Sequence, residues 1–365
     1  MERFPILTAT RQSTEYSCGA AALQAVLAHW GKVLTEEELI RLLRTSPETG
    51  TYVGDIARVA RELGFSASIK EDLSLDELHE ALKKGESVII CGQAWRSRED
   101  SDKSIKEDWE DGHYVVVLGM DRKYVYYQDP FIQRGKGFIT HQRFEQSWHN
   151  VRGKTAADTK KQVHLGVFIW GSTPPRHHAL VQAEFTDADL KRFGPLQLVN
   201  VRFESTVLPY DLMQQVKGIL NRDLIRPIAY VLVIKDRDGN PGVLEGGDLG
   251  EEESVEIDAL FGYLFGLGAG GAVTLRNIEM KQAEGNTLGI SEHDLQKMAE
   301  ELPPDRSILI FVLEHIWAKK VREALTDLGG TVVSSGFITP EMLITWGGGL
   351  AGGGKVQERG AGRTV

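Results

Sequence analysis

Apolar positions between residues 18 and 30 recur at helical spacing, with Ala22, Leu23, Val26, Leu27 and Trp30 on one face and Gly31 behind them as a stop. This pattern predicts a helix that begins at Cys18. Two capping boxes mark further helix starts: Thr35 with Glu38 opens one running to Leu43, and Ser74 with Glu77 opens one running to Lys84 before Gly85. A shorter helix is expected over residues 54–63, ending at Gly64. From residue 87 the pattern changes to short apolar runs rich in β-branched and aromatic residues, over 87–91, 114–120, 124–128 and 165–170, which predict strands. Helices followed by strands give an α+β fold class for this half.

Residues 172–189, with Pro174-Pro175 and His177-His178, show no periodicity and read as a linker. Beyond them the pattern predicts a strand over 196–203, a helix over 209–220 and a strand over 228–235, followed by a glycine-rich, acidic insertion. A helix over 291–301, a strand over 308–313, a helix over 317–328 and a strand over 331–337 complete a second β-α-β unit. Two such units imply a ferredoxin-like α+β domain. The expected organisation is therefore a first domain at 1–172, a linker at 173–190, a ferredoxin-like domain at 191–346 and a flexible glycine-rich tail at 347–365.

Bulk properties narrow the function. With 365 residues, 41% hydrophobic and 26% charged, the chain has enough apolar content for two globular cores. A net charge of -10 argues against nucleic acid, which needs a basic face. Only Cys18 and Cys91 are cysteines, so no disulfide framework is expected and a reducing compartment fits. The N-terminus lacks the apolar run of a secretory signal, which makes the cytoplasm the expected location. Residues 257–275 are apolar but carry five glycines and Asp258, so no membrane span is expected there.

Four residues combine into a chemical constellation. A cysteine at a helix N-terminus gains thiolate character from the unpaired N–H groups, and Cys18 holds that position, although a lone cysteine there is more often a buried apolar residue. Gln12, six residues earlier, could donate an amide N–H to a developing oxyanion, or be a solvated glutamine. His113 leads the strand at 114–118, and Asp129-Pro130 closes the next strand. A hairpin between those strands would bring Asp129 to His113, giving nucleophile, base and orienter in chain order.

Gln12, the run Glu15-Tyr16-Ser17-Cys18-Gly19-Ala20-Ala21-Ala22-Leu23, Trp30-Gly31, the strand from Gly112-His113 through Gly119, Asp129-Pro130, and Phe144 with Trp148 resemble the C39-type cysteine peptidases. The resemblance spans about residues 5–170. It implies a papain-like fold, Cys18 as nucleophile, Gln12 at the oxyanion hole, His113 as base and Asp129 as third member. It also implies peptide or protein substrates, cut after Gly-Gly in the best-known members, which are often fused to an exporter. No exporter follows here, so a stand-alone form with an open substrate is expected. The second half, through residues such as Glu314-His315 and Gly336-Phe337, resembles an uncharacterised bacterial family with ferredoxin-like halves around a glycine-rich insert.

The acidic segment 99–111 reads as a solvated loop, or as charge that favours the imidazolium of His113 and attracts basic substrates. Cys91 reads as core. The histidines show no metal-ligand spacing, and neither a metal nor a cofactor is expected. Gly262, Gly266 and Gly270 recur every four residues, as loop flexibility or as a surface for homo-oligomer formation through the C-terminal domain. The expected function is a cysteine peptidase using a Cys-His-Asp triad. The alternative is a self-assembling scaffold whose peptidase-like domain serves binding.

Overall fold

Thr35 and Ser74 form the capping boxes that their spacing predicts: each hydroxyl accepts from the N–H three residues on, and each glutamate side chain reaches back to the cap residue. The computed structural model describes residues 7, 10–95, 104–132, 135–152, 160–172, 193–206, 224–248, 288 and 290–328. In the first half the helices are α1 (Cys18–His29), α2 (Glu36–Leu43), α3 (Val53–Glu62), α4 (Leu75–Lys83) and α5 (His141–Ser147). The strands there are β1 (Ser66–Lys70), β2 (Ser87–Gln93), β3 (Gly112–Met120), β4 (Tyr124–Asp129), β5 (Gly135–Thr140), β6 (His149–Arg152), β7 (Lys160–Val163) and β8 (Gly166–Trp170). The second half adds β9 (Leu196–Phe203), β10 (Ile225–Lys235), β11 (Pro241–Gly246), α6 (Glu292–Glu301), β12 (Arg306–His315) and α7 (Ile316–Asp327).

Ten strands join in one sheet of order β1-β8-β2-β3-β4-β5-β11-β10-β12-β9, every neighbouring pair antiparallel. The ladder crosses from the first half to the second at β5 and β11, where Phe138 faces Val243 and Gly137 faces Leu244. Neither of those two strands is predicted by the hydrophobic pattern, because Gly135, Gly137, Pro241, Gly242 and Gly246 weaken it. Glycine is required at the seam: a Cβ at Gly137 would stand 2.5 Å from the Val243 carbonyl oxygen.

Alternation across the sheet separates two apolar layers. Ile89, Cys91, Tyr114 and Val116 face α1 to α3, and the same layer continues through Val231, Val233 and Val312 to Leu295 and Ala299 of α6. Val88, Ile90, Val117 and Phe168 face the other way, against Leu78, Phe144 and Trp148. A third cluster, Ile132 with Tyr230, Leu232, Leu244 and Leu309, lies around the β10 to β12 ladder. Polar ties also link the halves, as the Tyr124 hydroxyl donates to Glu300 at 2.8 Å and Gln296 donates to the Tyr126 hydroxyl at 2.7 Å.

Contacts divide the chain into a unit of Met1–Trp317 and a unit beginning at Ala318, whose described part is the remainder of α7 through Leu328. The expected linker, the helix at 209–220, the strand at 331–337, the Gly262-Gly266-Gly270 stripe and the tail lie outside the described residues. The elements that would complete two β-α-β units are thus among them. No helix among the described residues is long and apolar enough to cross a membrane.

Candidate active site

Cys18 is the first residue of α1, with only 8% of its surface exposed. Small residues are needed around it. A Cβ at Gly19 would stand 2.7 Å from the Thr51 side chain, and Ala20, Ala21 and Ala22 are all buried. Thr51 is held in turn by the Tyr114 hydroxyl, which donates to its carbonyl at 3.0 Å.

His113 enters at the start of β3 and Asp129 at the end of β4, both buried, at 6% and 3% exposure. His113 Nε2 lies 2.7 Å from Asp129 Oδ1, and the imidazole is close enough to the Cys18 thiol to lower its pKa. Nε2 is engaged with the carboxylate, which leaves Nδ1 as the nitrogen for sulfur. Three sequence-predicted residues separated by up to 111 positions therefore meet.

The electrostatics of the pair are consistent in direction. Burial pushes the Cys18 thiol up, but the hydrogen bond and positive charge of His113, with the N–H groups of Tyr114 and Gly19, outweigh it and leave the pKa below the ordinary thiol value. For His113 burial pushes the pKa down; the Asp129 charge and hydrogen bond, then those of Cys18, outweigh it and raise the pKa to about 10. A thiolate facing an imidazolium is the form that both shifts favour.

Gln12 is buried beside this group, and its backbone N–H donates to the Pro130 carbonyl at 2.7 Å, tying the segment before α1 to the turn after Asp129. Its Nε2 donates to the Thr14 carbonyl at 2.8 Å, while its Oε1 accepts no hydrogen bond among the described residues. The reading of Gln12 as a solvated side chain is thereby replaced by one that packs it inside.

Asp129 has further partners that the sequence does not reveal. Its Oδ2 accepts from the Trp95 indole at 2.9 Å, and its Oδ1 accepts from the Phe131 backbone N–H at 2.8 Å. The Trp95 and Phe131 rings pack at 4.1 Å between centroids. The only local signal would have been an aromatic residue at the exit of β2.

Of the acidic segment, residues 99–103 lie outside the described residues, and Asp108 is buried rather than solvated. The Asp108 carbonyl lies 2.6 Å from His149 Nε2, and the Asp111 N–H donates to Gln93. The principal charges acting on His113 are those of Asp129 and Cys18. Cys91 is a buried free thiol in β2, and among the described residues no three His, Cys, Asp or Glu side chains could together hold a metal ion.

The model of the peptidase C39 family matches residues 7–152. An uncharacterized protein of Methanothermobacter thermautotrophicus is 31% identical over 124 residues, 34% of this chain and 71% of the relative. The peptidase domain of Streptococcus ComA, a bi-functional ABC transporter, is 18% identical, with 45% of this chain and 98% of that domain covered and a TM-score of 0.34. A putative C39-like peptidase from Bacillus anthracis is likewise 18% identical, covering 47% of this chain and all of that one, with a TM-score of 0.34. On the sequence match, this chain belongs to the peptidase C39 family and is a cysteine peptidase.

Proposed function

We propose that the enzyme hydrolyses peptide bonds with Cys18 as nucleophile, His113 as acid and base, Asp129 as the group that orients His113, and Gln12 as an oxyanion donor. The observation that carries this reading is the position of His113, buried, hydrogen-bonded to the Asp129 carboxylate through one nitrogen, and close enough to Cys18 to lower the pKa of its thiol. In the first step the Cys18 thiolate attacks the peptide carbonyl carbon, and the carbonyl electrons move onto oxygen. The second Nε2 hydrogen of Gln12, the first being held by Thr14, donates to that oxyanion. Imidazolium Nδ1 then protonates the departing amine as the C–N bond breaks, leaving a thioester on Cys18. Water, deprotonated by the now neutral imidazole, attacks the thioester. The C–S bond breaks, releasing a carboxylic acid and the thiolate.

The substrate class is a peptide segment containing Gly-Gly, the pair that the family resemblance puts first. Incubation with peptides that carry Gly-Gly, Gly-Ala or Ala-Ala at one position, followed by mass spectrometry, tests both parts. Cleavage after Gly-Gly that Cys18→Ala lowers by roughly 10⁶-fold, the scale of removing a nucleophile, is expected. Cleavage retained by Cys18→Ala would remove the assignment, and equal cleavage of all three peptides would remove the Gly-Gly preference alone.

A further inference from the structure

Asp129 needs a support that neither Cys18 nor His113 supplies. Oδ1 is shared between His113 and the Phe131 N–H, so the carboxylate plane is set by what holds Oδ2, and that group is the Trp95 indole at 2.9 Å. Trp95 adopts a left-handed backbone conformation, φ 59°, which a bulky side chain takes only at a cost in energy. With the backbone in this conformation the indole N–H reaches Asp129. The ring packs on Phe131, meets the His113 ring edge-on at 6.4 Å between centroids, and packs against the apolar cluster of Ile132, Tyr230, Leu232, Leu244 and Leu309.

Four of those five cluster residues belong to the second half of the chain, on β10, β11 and β12. Ile132, the fifth, is 3% exposed and sits in the same turn as Asp129, Pro130 and Phe131. Through this cluster the second-half strands pack against the turn that follows Asp129, and Trp95 packs against the same cluster. Pro130 in that turn accepts the Gln12 N–H, so the same support extends to the segment before α1.

We propose that Trp95 is a positioning residue that acts on His113 through Asp129, and that strands β10 to β12 serve the active site by seating Trp95 and the 129–132 turn. This rests on the triad reading given above. In this arrangement the second half is not an independent module beside the peptidase but the wall that keeps Asp129 Oδ1 directed at His113 Nε2. With the indole N–H gone, the carboxylate is free to rotate away from the imidazole, the imidazolium is held less well, and less Cys18 thiolate is present at neutral pH.

The test uses the full chain. Trp95→Phe keeps a ring to pack on Phe131 and removes the N–H; Leu244→Val keeps every hydrogen-bond donor and shortens the seat. The readouts are the pH dependence of Cys18 alkylation by iodoacetamide, measured peptide by peptide, and kcat and KM for a cleaved peptide. Trp95→Phe is expected to move the alkylation midpoint up by about one pH unit, a tenfold loss of thiolate, and to lower kcat with little change in KM. Leu244→Val is expected to shift both in the same direction by less. A folded Trp95→Phe with an unchanged midpoint and only a lower melting temperature would mean a merely structural tryptophan and overturn the proposal. Should Trp95→Phe not fold, an unchanged midpoint in Leu244→Val overturns it and an upward shift supports it. Wild-type Cys18 that alkylates like an ordinary thiol would remove the triad reading, and this proposal with it.

Discussion

The start of α1 and the middle of β2 each bury a thiol in the same apolar layer, and the two thiols move in opposite directions. Cys91 is pushed well above the ordinary thiol value, by burial and then by the negative charge at Cys18, against only a backbone N–H from His113. Cys18 is also buried yet ends below that value, because His113 and the N–H groups of Tyr114 and Gly19 face it. Burial alone therefore disfavours a thiolate, whereas a paired cation at a helix start favours one. The comparison also locates where this peptidase invests its polar groups: His113 and Asp129 lie at strand ends, whereas the centres of β2 and β3 are apolar.

The largest way to break this contrast is to remove its source. Asp129→Asn leaves a group of the same shape but no charge, and the raised pKa of His113 loses the first of the causes that support it. Peptide turnover is expected to fall by roughly 10⁴-fold, as for loss of the orienting carboxylate in a hydrolytic triad. Turnover within a few-fold of wild type would show that Asp129 does not orient the base.

A milder test reads the two thiols side by side across pH. A thiol with a pKa above 9 is ionised to less than about 1% at pH 7 and loses thiolate roughly tenfold for each unit of further acidification. Cys18, with a lowered pKa, retains thiolate as the pH falls below 9, and the imidazolium opposite it persists up to about 10. Iodoacetamide at pH 7 is expected to modify Cys18 at least about tenfold faster than Cys91. Parallel rate profiles for the two cysteines would end the ion-pair description.

The smallest effect is expected where the contrast says that chemistry is absent. Cys91→Ala removes a small buried apolar group and should cost roughly 1–2 kcal/mol in urea unfolding. Peptide turnover should stay close to that of the wild type. A collapse of turnover without a comparable loss of stability would show that Cys91 takes part in the reaction.

Much of this arrangement was legible beforehand. The spacing of Ala22, Leu23, Val26 and Leu27 predicted α1 and so the placement of Cys18, and Thr35 and Ser74 announced their helices through the residues three positions on. These are local signals, written within one helical turn. The strands β5 and β11 escaped because their glycines and proline look like loop; the close approach of Tyr127 and Val243 to Gly137 is what requires them. Trp95 escaped because its partner lies 34 positions away and nothing near it in the chain is unusual.

The amino-acid sequence by itself determined which residue types stand at the ends of regular elements: a thiol opening a helix, an imidazole leading a strand, a carboxylate closing the next one. Periodicity and capping suffice for that, since they depend on neighbours a few positions apart. Only the tertiary structure decided that both halves share one sheet through β5 and β11, and that a tryptophan holds the carboxylate. Strand partners and buried hydrogen-bond partners are chosen by the closure of long loops. That choice depends on the packing of the whole layer, not on any short stretch of chain.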